Sequence, residues 1–133
     1  MPLKGDKKMK STDTGITRIL KAFTYSYEGF KAAYVSEAAF RQDIAFCIIC
    51  SILLFFFPSS ISEKIYLASV LLLILIAELI NTAIETLVDR ISPEYNKLSK
   101  KAKDIGSLIV LLAFVYAIMQ WWSVFLYYIK LFL

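Results

Sequence analysis

Glu78, Asn81, Glu85 and Asp89 are the side chains of this sequence whose types and spacing most plainly allow chemistry. Steps of three, four and four residues bring all of them into one narrow stripe of a helix that turns by about 100° per residue. The run before them, Ile65 to Ala77, has the composition of a membrane span. An unpaired charge in such a run costs about 3 kcal/mol or more, so aligned carboxylates there call for a cation, a partner or water. Three kinds of work suit them: holding a divalent cation, accepting a proton from an alcohol, or lining an ion path. The reading without chemistry is a packing seam, in which Asn81 and the acids bond to a neighbouring helix.

The elements that must position this stripe follow from composition and pattern. The chain is 59% hydrophobic over 133 residues, with a mean hydropathy of +0.64. That is too apolar for a soluble domain of this size and too short for two domains, so one small all-α, multi-pass membrane domain is expected over residues 1–133. The net charge of +4 comes from basic residues flanking apolar runs. Anionic lipid headgroups therefore account for it, and no nucleic-acid partner is expected. The chain has no histidine, which removes the usual imidazole base and the commonest metal ligand. Cys47 and Cys50 form a C-x-x-C inside an apolar run with no basic neighbour, so they read as small membrane-buried residues rather than as a redox or zinc pair.

Residues 1–13 are basic and polar, with Lys4, Lys7, Lys8 and Lys10. They read as a disordered tail, with no apolar core behind them to suggest a cleaved leader. From Thr14 an apolar, aromatic face recurs at threes and fours through Ile16, Ile19, Leu20, Phe23, Tyr27, Phe30 and Tyr34. This predicts an amphipathic helix over 14–36 lying in the membrane interface, capped by Asp13 or Thr14. Three spans follow at 38–57, 65–90 and 105–124, each near the roughly 20 residues that a bilayer needs. Pro58-Ser59-Ser60 closes the first, and the short link makes the first two antiparallel neighbours. Ser92 with Pro93 is the expected start of the next helix. Ala102 and Gly106 form a small-x-x-x-small pair that permits close helix approach, and Trp121, Trp122, Tyr127 and Tyr128 form an interfacial belt.

Basic residues set the orientation. The amino-terminal region and the link after Arg90 are rich in lysine and arginine, whereas the link between the first two spans holds only Lys64. The amino terminus and the Arg90 link thus face the cytoplasm, and the carboxyl terminus lies outside. Glu37, Glu85, Asp89, Glu94, Lys103 and Asp104 then share the cytoplasmic rim. Glu78 lies about 10 Å deeper than Glu85 at 1.5 Å per residue. Acids at the rim suit magnesium, which binds through one or two carboxylates together with substrate phosphates. Lys103 can meet those phosphates as a point charge, and a deeper carboxylate can reach the hydroxyl of a lipid in the same leaflet. This layering is what phosphoryl transfer onto a lipid alcohol requires. None of the four glycines fits a P-loop, and no Gly-rich kinase loop, H-R-D or D-F-G occurs, so such a kinase belongs to another class.

Thr17-Arg18-Ile19-Leu20-Lys21-Ala22, Glu37-Ala38-Ala39-Phe40-Arg41-Gln42 and Glu78-Leu79-Ile80-Asn81-Thr82-Ala83-Ile84-Glu85 with Val88-Asp89-Arg90 carry a resemblance to a known family. So do Glu94-Tyr95 and Ala102-Lys103-Asp104-Ile105-Gly106-Ser107. Together, from about Gly15 to the third span, they closely resemble the bacterial integral-membrane diacylglycerol kinases. The resemblance implies a homotrimer of three-span subunits in the bacterial inner membrane, each with an amino-terminal surface helix. It also implies transfer of the ATP γ-phosphate to 1,2-diacylglycerol, giving phosphatidate, with magnesium as cofactor and ATP, diacylglycerol and membrane lipids as partners.

By the same resemblance Glu78 is the general base, and Glu37 and Glu85 are the magnesium-linked carboxylates. Arg18, Tyr25, Glu37, Glu85, Glu94, Tyr95, Asn96, Lys103 and Asp104 are the implied nucleotide contacts. Arg18, Ala39, Phe40, Arg41, Gln42, Asp43, Glu78 and Ser107 are the implied lipid-substrate contacts, with Asn81 and Asp89 in support. The chain departs from the family pattern at Asn96, where a histidine is common, at Asp43 for a glutamate, and at Lys100 for a glycine. Tyr27 and Tyr34 stand for tryptophans. A polyprenol kinase acting on undecaprenol is the nearest alternative, against which Glu37 to Gln42 favour diacylglycerol. A small oligomeric cation channel or transporter, with Glu78 and Glu85 along its path, and a purely structural membrane subunit are alternatives of other classes.

Overall fold

A computed structural model describes residues 15–133, all of them in or between four α-helices: α1 Gly15–Ser36, α2 Ala38–Phe56, α3 Ile61–Ile91 and α4 Lys97–Phe132. The basic tail expected over 1–13, and the caps Asp13 and Thr14, lie outside the described residues. The helices α2, α3 and α4 are each long and apolar enough to cross a membrane.

The centre of the fold is α3. It buries Leu67, Val70, Leu71, Ile74, Ala77, Glu78 and Asn81 along one side, steps of three and four that keep a single face inward. Packed against it, α4 turns Gly106, Ala113 and Ala117 inward. These residues have little or no side chain, so the two backbones approach closely along their length, and close packing is what holds helices together where lipid is as apolar as the core. On another side α2 adds Cys47 to the cluster formed by Val70, Leu71, Ile74, Ala77, Ala113 and Ala117. Both cysteines are free, Cys47 buried and Cys50 half-buried, and the Cys47 thiol lies 3.6 Å from the carbonyl of Leu71.

The junction between α1 and α2 is a one-residue break at Glu37, which has extended backbone. Arg41 reaches back across it and donates to the carbonyls of Tyr34 and Val35 at 2.8 and 3.1 Å, satisfying acceptors that the end of α1 leaves open. Phe40, 1% exposed, stands edge-on to Phe30 at 5.7 Å between ring centres and fixes the angle of the turn. Most of α1 is otherwise exposed, and Ala33 is its one buried residue.

Two helix starts differ from the expectation drawn from hydropathy. The helix α3 begins at Ile61, ahead of Ile65, because Ser60 and Glu63 form a capping box: the Ser60 hydroxyl accepts from the Glu63 N–H, and Glu63 Oε2 accepts from the Ser60 N–H at 2.8 Å. The helix α4 starts at Lys97, not at Ser92–Pro93. The Asn96 side-chain oxygen accepts from the N–H groups of Leu98 and Ser99 at 2.8 and 3.3 Å, whereas the Ser92 hydroxyl donates to the carbonyl of Glu94 and caps nothing. Ser92 instead ends α3, its N–H bonding the carbonyl of Val88.

Candidate active site

Glu78 and Asn81 are the buried polar side chains of the fold among the described residues, at 5% and 8% exposure. Both lie on the inward face of α3, directly after the apolar layer of Ile74 and Ala77. Glu85, one turn beyond Asn81, is half-buried, and Asp89 is exposed. The stripe therefore grades from interior to surface along a single helix face. Asn81 Nδ2 donates to Glu85 Oε1 at 3.3 Å, joining two of its members. A carboxylate buried in an apolar layer is a cost to the fold that a bound cation or a proton removes.

Beyond the stripe, the loop joining α3 to α4 and the first turns of α4 enclose a cleft of about 400 Å³. Glu94, Tyr95, Asn96, Lys103 and Asp104 line it together with Asp89. So do Ser99 and Lys100, which the sequence reading did not place in a site. Two ion pairs organise its wall. Lys103 of α4 bonds Asp89 of α3 at 2.5 Å, crossing between the helices, and Lys100 bonds Asp104 at 2.6 Å one turn along α4. The second pair was legible as a lysine and an aspartate four residues apart on a helix. Two ammonium groups beside the amino end of α4 give the cleft cations suited to an anionic ligand, and each is held by an acid that such a ligand can replace.

The expected site residues divide into those this subunit brings together and those it keeps apart. Glu78, Asn81, Glu85 and Asp89 align, and Glu94, Tyr95, Asn96, Lys103 and Asp104 share the cleft. Glu37, at the break before α2, and Asp43, in its second turn, are both half-buried. Ser107, exposed, donates to the carbonyl of Lys103 at 3.2 Å on the helix that faces the stripe. Arg18 and Tyr25 lie on the exposed surface of α1, which packs against α2, and neither lines the cleft. Of the segment from Ala39 to Asp43, Ala39 and Gln42 are exposed and Asp43 is half-buried, whereas Phe40 and Arg41 are used by the junction described above.

Among the described residues no three or more acidic, histidine or cysteine side chains converge to hold a metal ion by themselves. The donors present are carboxylates, the hard oxygen ligands that magnesium takes, and one or two of them suffice where a nucleotide phosphate supplies the remainder. Glu85, half-buried and oriented by Asn81, and Glu37, which accepts a bond from Ser36 Oγ at 2.8 Å, fit that partial site.

Comparison with known proteins meets this geometry. Residues 24–125 match the family model for prokaryotic diacylglycerol kinase. A diacylglycerol kinase of Escherichia coli (strain K12) is 40% identical over 121 residues, spanning 88% of this chain and 99% of the relative. One from Pseudomonas aeruginosa is 42% identical over 113 residues, with 85% and 92% covered. One from Helicobacter pylori is 35% identical over 107 residues, with 80% and 84% covered.

Proposed function

The chain belongs to the prokaryotic diacylglycerol kinase family, and on that premise we propose how its residues carry the γ-phosphate of ATP to diacylglycerol. It is an ATP-dependent lipid kinase of the membrane. The observation that carries the residue assignments is the gradient along α3, from buried Glu78 through half-buried Glu85 to exposed Asp89. Reacting groups of opposite solubility have to meet. ATP arrives from water and diacylglycerol from the bilayer, and one helix face offers carboxylates to both.

Glu78 is the general base. It lies within the apolar layer, where an acyl-anchored alcohol can reach it, and takes the hydroxyl proton as that oxygen bonds the γ-phosphorus and the bond from phosphorus to the β,γ-bridging oxygen breaks, releasing ADP. Glu85 and Glu37 hold magnesium, which when bound neutralises phosphate oxygens. Lys103 leaves Asp89 for the nucleotide phosphates, and Asp89 is thereby the group that keeps the lysine in place before ATP binds. Glu94, Tyr95, Asn96 and Asp104 line the space for the remainder of the nucleotide. Asn81 orients Glu85, and Ser107, Ala39, Gln42 and Asp43 lie beside the lipid path.

The lysines near the start of α4, Lys97, Lys100, Lys101 and Lys103, against the single Lys64 in the first turn of α3, support a cytoplasmic α3–α4 loop, amino terminus and active site, with the carboxyl terminus periplasmic. The exposed Ile16, Ile19, Leu20, Phe23 and Tyr27 of α1 support its lying in the interface as an amphipathic surface helix. Arg18 and Tyr25 do not line the cleft of their own subunit, which supports a homotrimer in which one chain completes the site of another. Mixing Glu78→Gln subunits with Arg18→Ala subunits tests this: recovered activity is expected from a shared site, and none from self-contained ones.

Substrate choice is tested by incubating purified protein in mixed micelles with γ-labelled ATP, magnesium and either diacylglycerol or undecaprenol. Label is expected in phosphatidate. Preferential labelling of the polyprenol would overturn the assignment.

A further inference from the structure

Asn81 carries a buried side-chain oxygen with no hydrogen-bond partner, in a residue that is only 8% exposed. Such an orphan acceptor is costly in the interior, and what lies against it is the bare Cα of Gly106 on α4. A Cβ built at Gly106 would meet Asn81 Oδ1 closer than any real Cβ contact, with Asn81 Cγ at 3.4 Å and Ile84 Cδ1 at 3.6 Å closing the space. The asparagine amide thus lies directly against the α4 backbone at Gly106. Its other end, Nδ2, donates to Glu85 Oε1.

This arrangement selects one orientation of the amide. Turned over, its NH2 would press on a Cα that accepts nothing, and its oxygen would face a carboxylate, acceptor against acceptor. As it stands, the oxygen has only a weak contact with a Cα–H, and the NH2 meets a carboxylate that accepts from it. Widening the gap between α3 and α4 by a single methyl group would dislodge Asn81 and with it the donor that Glu85 uses.

We propose that Gly106 is a positioning residue for the reaction: its missing side chain locks the Asn81 amide so that it donates to Glu85 and holds that carboxylate ready for the divalent cation. This rests on the reading of Glu85 as a metal-linked carboxylate. Gly106 touches neither substrate nor metal and acts only through Asn81. Where a glycine serves only helix packing, its replacement alters stability and assembly. Here the replacement moves cation affinity as well, and does so only while Asn81 is present.

The test compares wild type, Gly106→Ala, Asn81→Ala, the Asn81→Ala/Gly106→Ala double variant and Glu85→Gln in detergent. Two quantities are read: binding of Mn2+ followed by electron paramagnetic resonance with a non-hydrolysable ATP analogue present, and the magnesium concentration for half-maximal turnover. Gly106→Ala and Asn81→Ala are each expected to weaken Mn2+ binding about tenfold, the scale of losing one hydrogen bond to a charged group. The double variant is expected to match Asn81→Ala alone, because removing the amide frees the space that the new methyl group takes. Wild-type cation affinity in Gly106→Ala, or a double variant weaker than Asn81→Ala, would overturn the proposal. If Gly106→Ala fails to assemble, the double variant against Asn81→Ala decides on the same criterion. Unchanged Mn2+ binding in Glu85→Gln would instead remove the metal role of Glu85, the reading beneath the proposal.

Discussion

Glu63 and Glu85 lie at opposite ends of α3 and are the same chemical group in opposite circumstances. At the Glu63 end one carboxylate oxygen accepts from the Ser60 N–H, the Ser60 hydroxyl and the Tyr128 hydroxyl, each at 2.8 Å. Lys64 beside it donates to the carbonyl of Phe55 at 2.8 Å and lies over the Phe55 ring. Three helix ends are thereby tied by groups that satisfy one another. At the Glu85 end a single long bond, from Asn81 Nδ2 at 3.3 Å, reaches the carboxylate, a lysine and an aspartate bridge α3 to α4, and a cleft opens beside that pair. An acid with its donors supplied by its own chain is structural. An acid with a single donor from its own chain keeps lone pairs for a ligand.

Substitutions at the two ends sharpen this contrast. The largest effect is expected at Glu78→Gln, with turnover falling by about 100- to 10,000-fold, the usual worth of a positioned general base, while assembly and nucleotide binding persist. Glu85→Gln comes next. It is expected to raise the magnesium–ATP concentration for half-maximal rate about tenfold or more, because a carboxylate that meets a cation is lost; equilibrium titration with a fluorescent ATP analogue checks it. Lys103→Met is expected to weaken nucleotide binding by less, since Lys100 remains in the cleft, and to leave the lipid concentration dependence unchanged in a mixed-micelle assay. Smallest is Glu63→Gln, with wild-type turnover and a modest drop in the thermal unfolding midpoint from the weakened capping box. A loss of activity at Glu63 equal to that at Glu85 would erase the distinction between the ends.

Much of this was legible from residues because the physics is one-dimensional. Apolar runs reveal α2, α3 and α4, and the three-and-four spacing of Glu78, Asn81, Glu85 and Asp89 places them on one face. Local capping was harder. Hydropathy started the second span at Ile65 and passed over Ser60-x-x-Glu63, whose polar pattern is the signature of a capping box. Ser92–Pro93 looked like a helix start, but Asn96 offers an acceptor that reaches two N–H groups, and the helix begins there.

Contacts between distant segments were not legible at all. Arg41 closes the end of α1 across a break in the helix, so no periodicity announces it. Gly106 was visible as half of a small-residue pair with Ala102, yet that it meets Asn81 depends on the register of α4 against α3. Lys100 and Ser99 enter the cleft only because the α3–α4 loop folds over them. The exposed placement of Arg18 and Tyr25 follows from the angle at Glu37, which a sequence pattern does not set.

The most direct measurement is a single turnover. Protein preloaded with γ-labelled magnesium–ATP is mixed with diacylglycerol in a quenched-flow instrument, and label appearing in phosphatidate is timed for wild type, Glu63→Gln and Glu78→Gln. Wild type and Glu63→Gln are expected to transfer label at the same rate, and Glu78→Gln to retain bound nucleotide while transferring at least 100-fold more slowly, about the lower bound for loss of a general base. A Glu78→Gln rate close to wild type would contradict the assignment of the buried acid of α3 as the group that accepts the lipid proton.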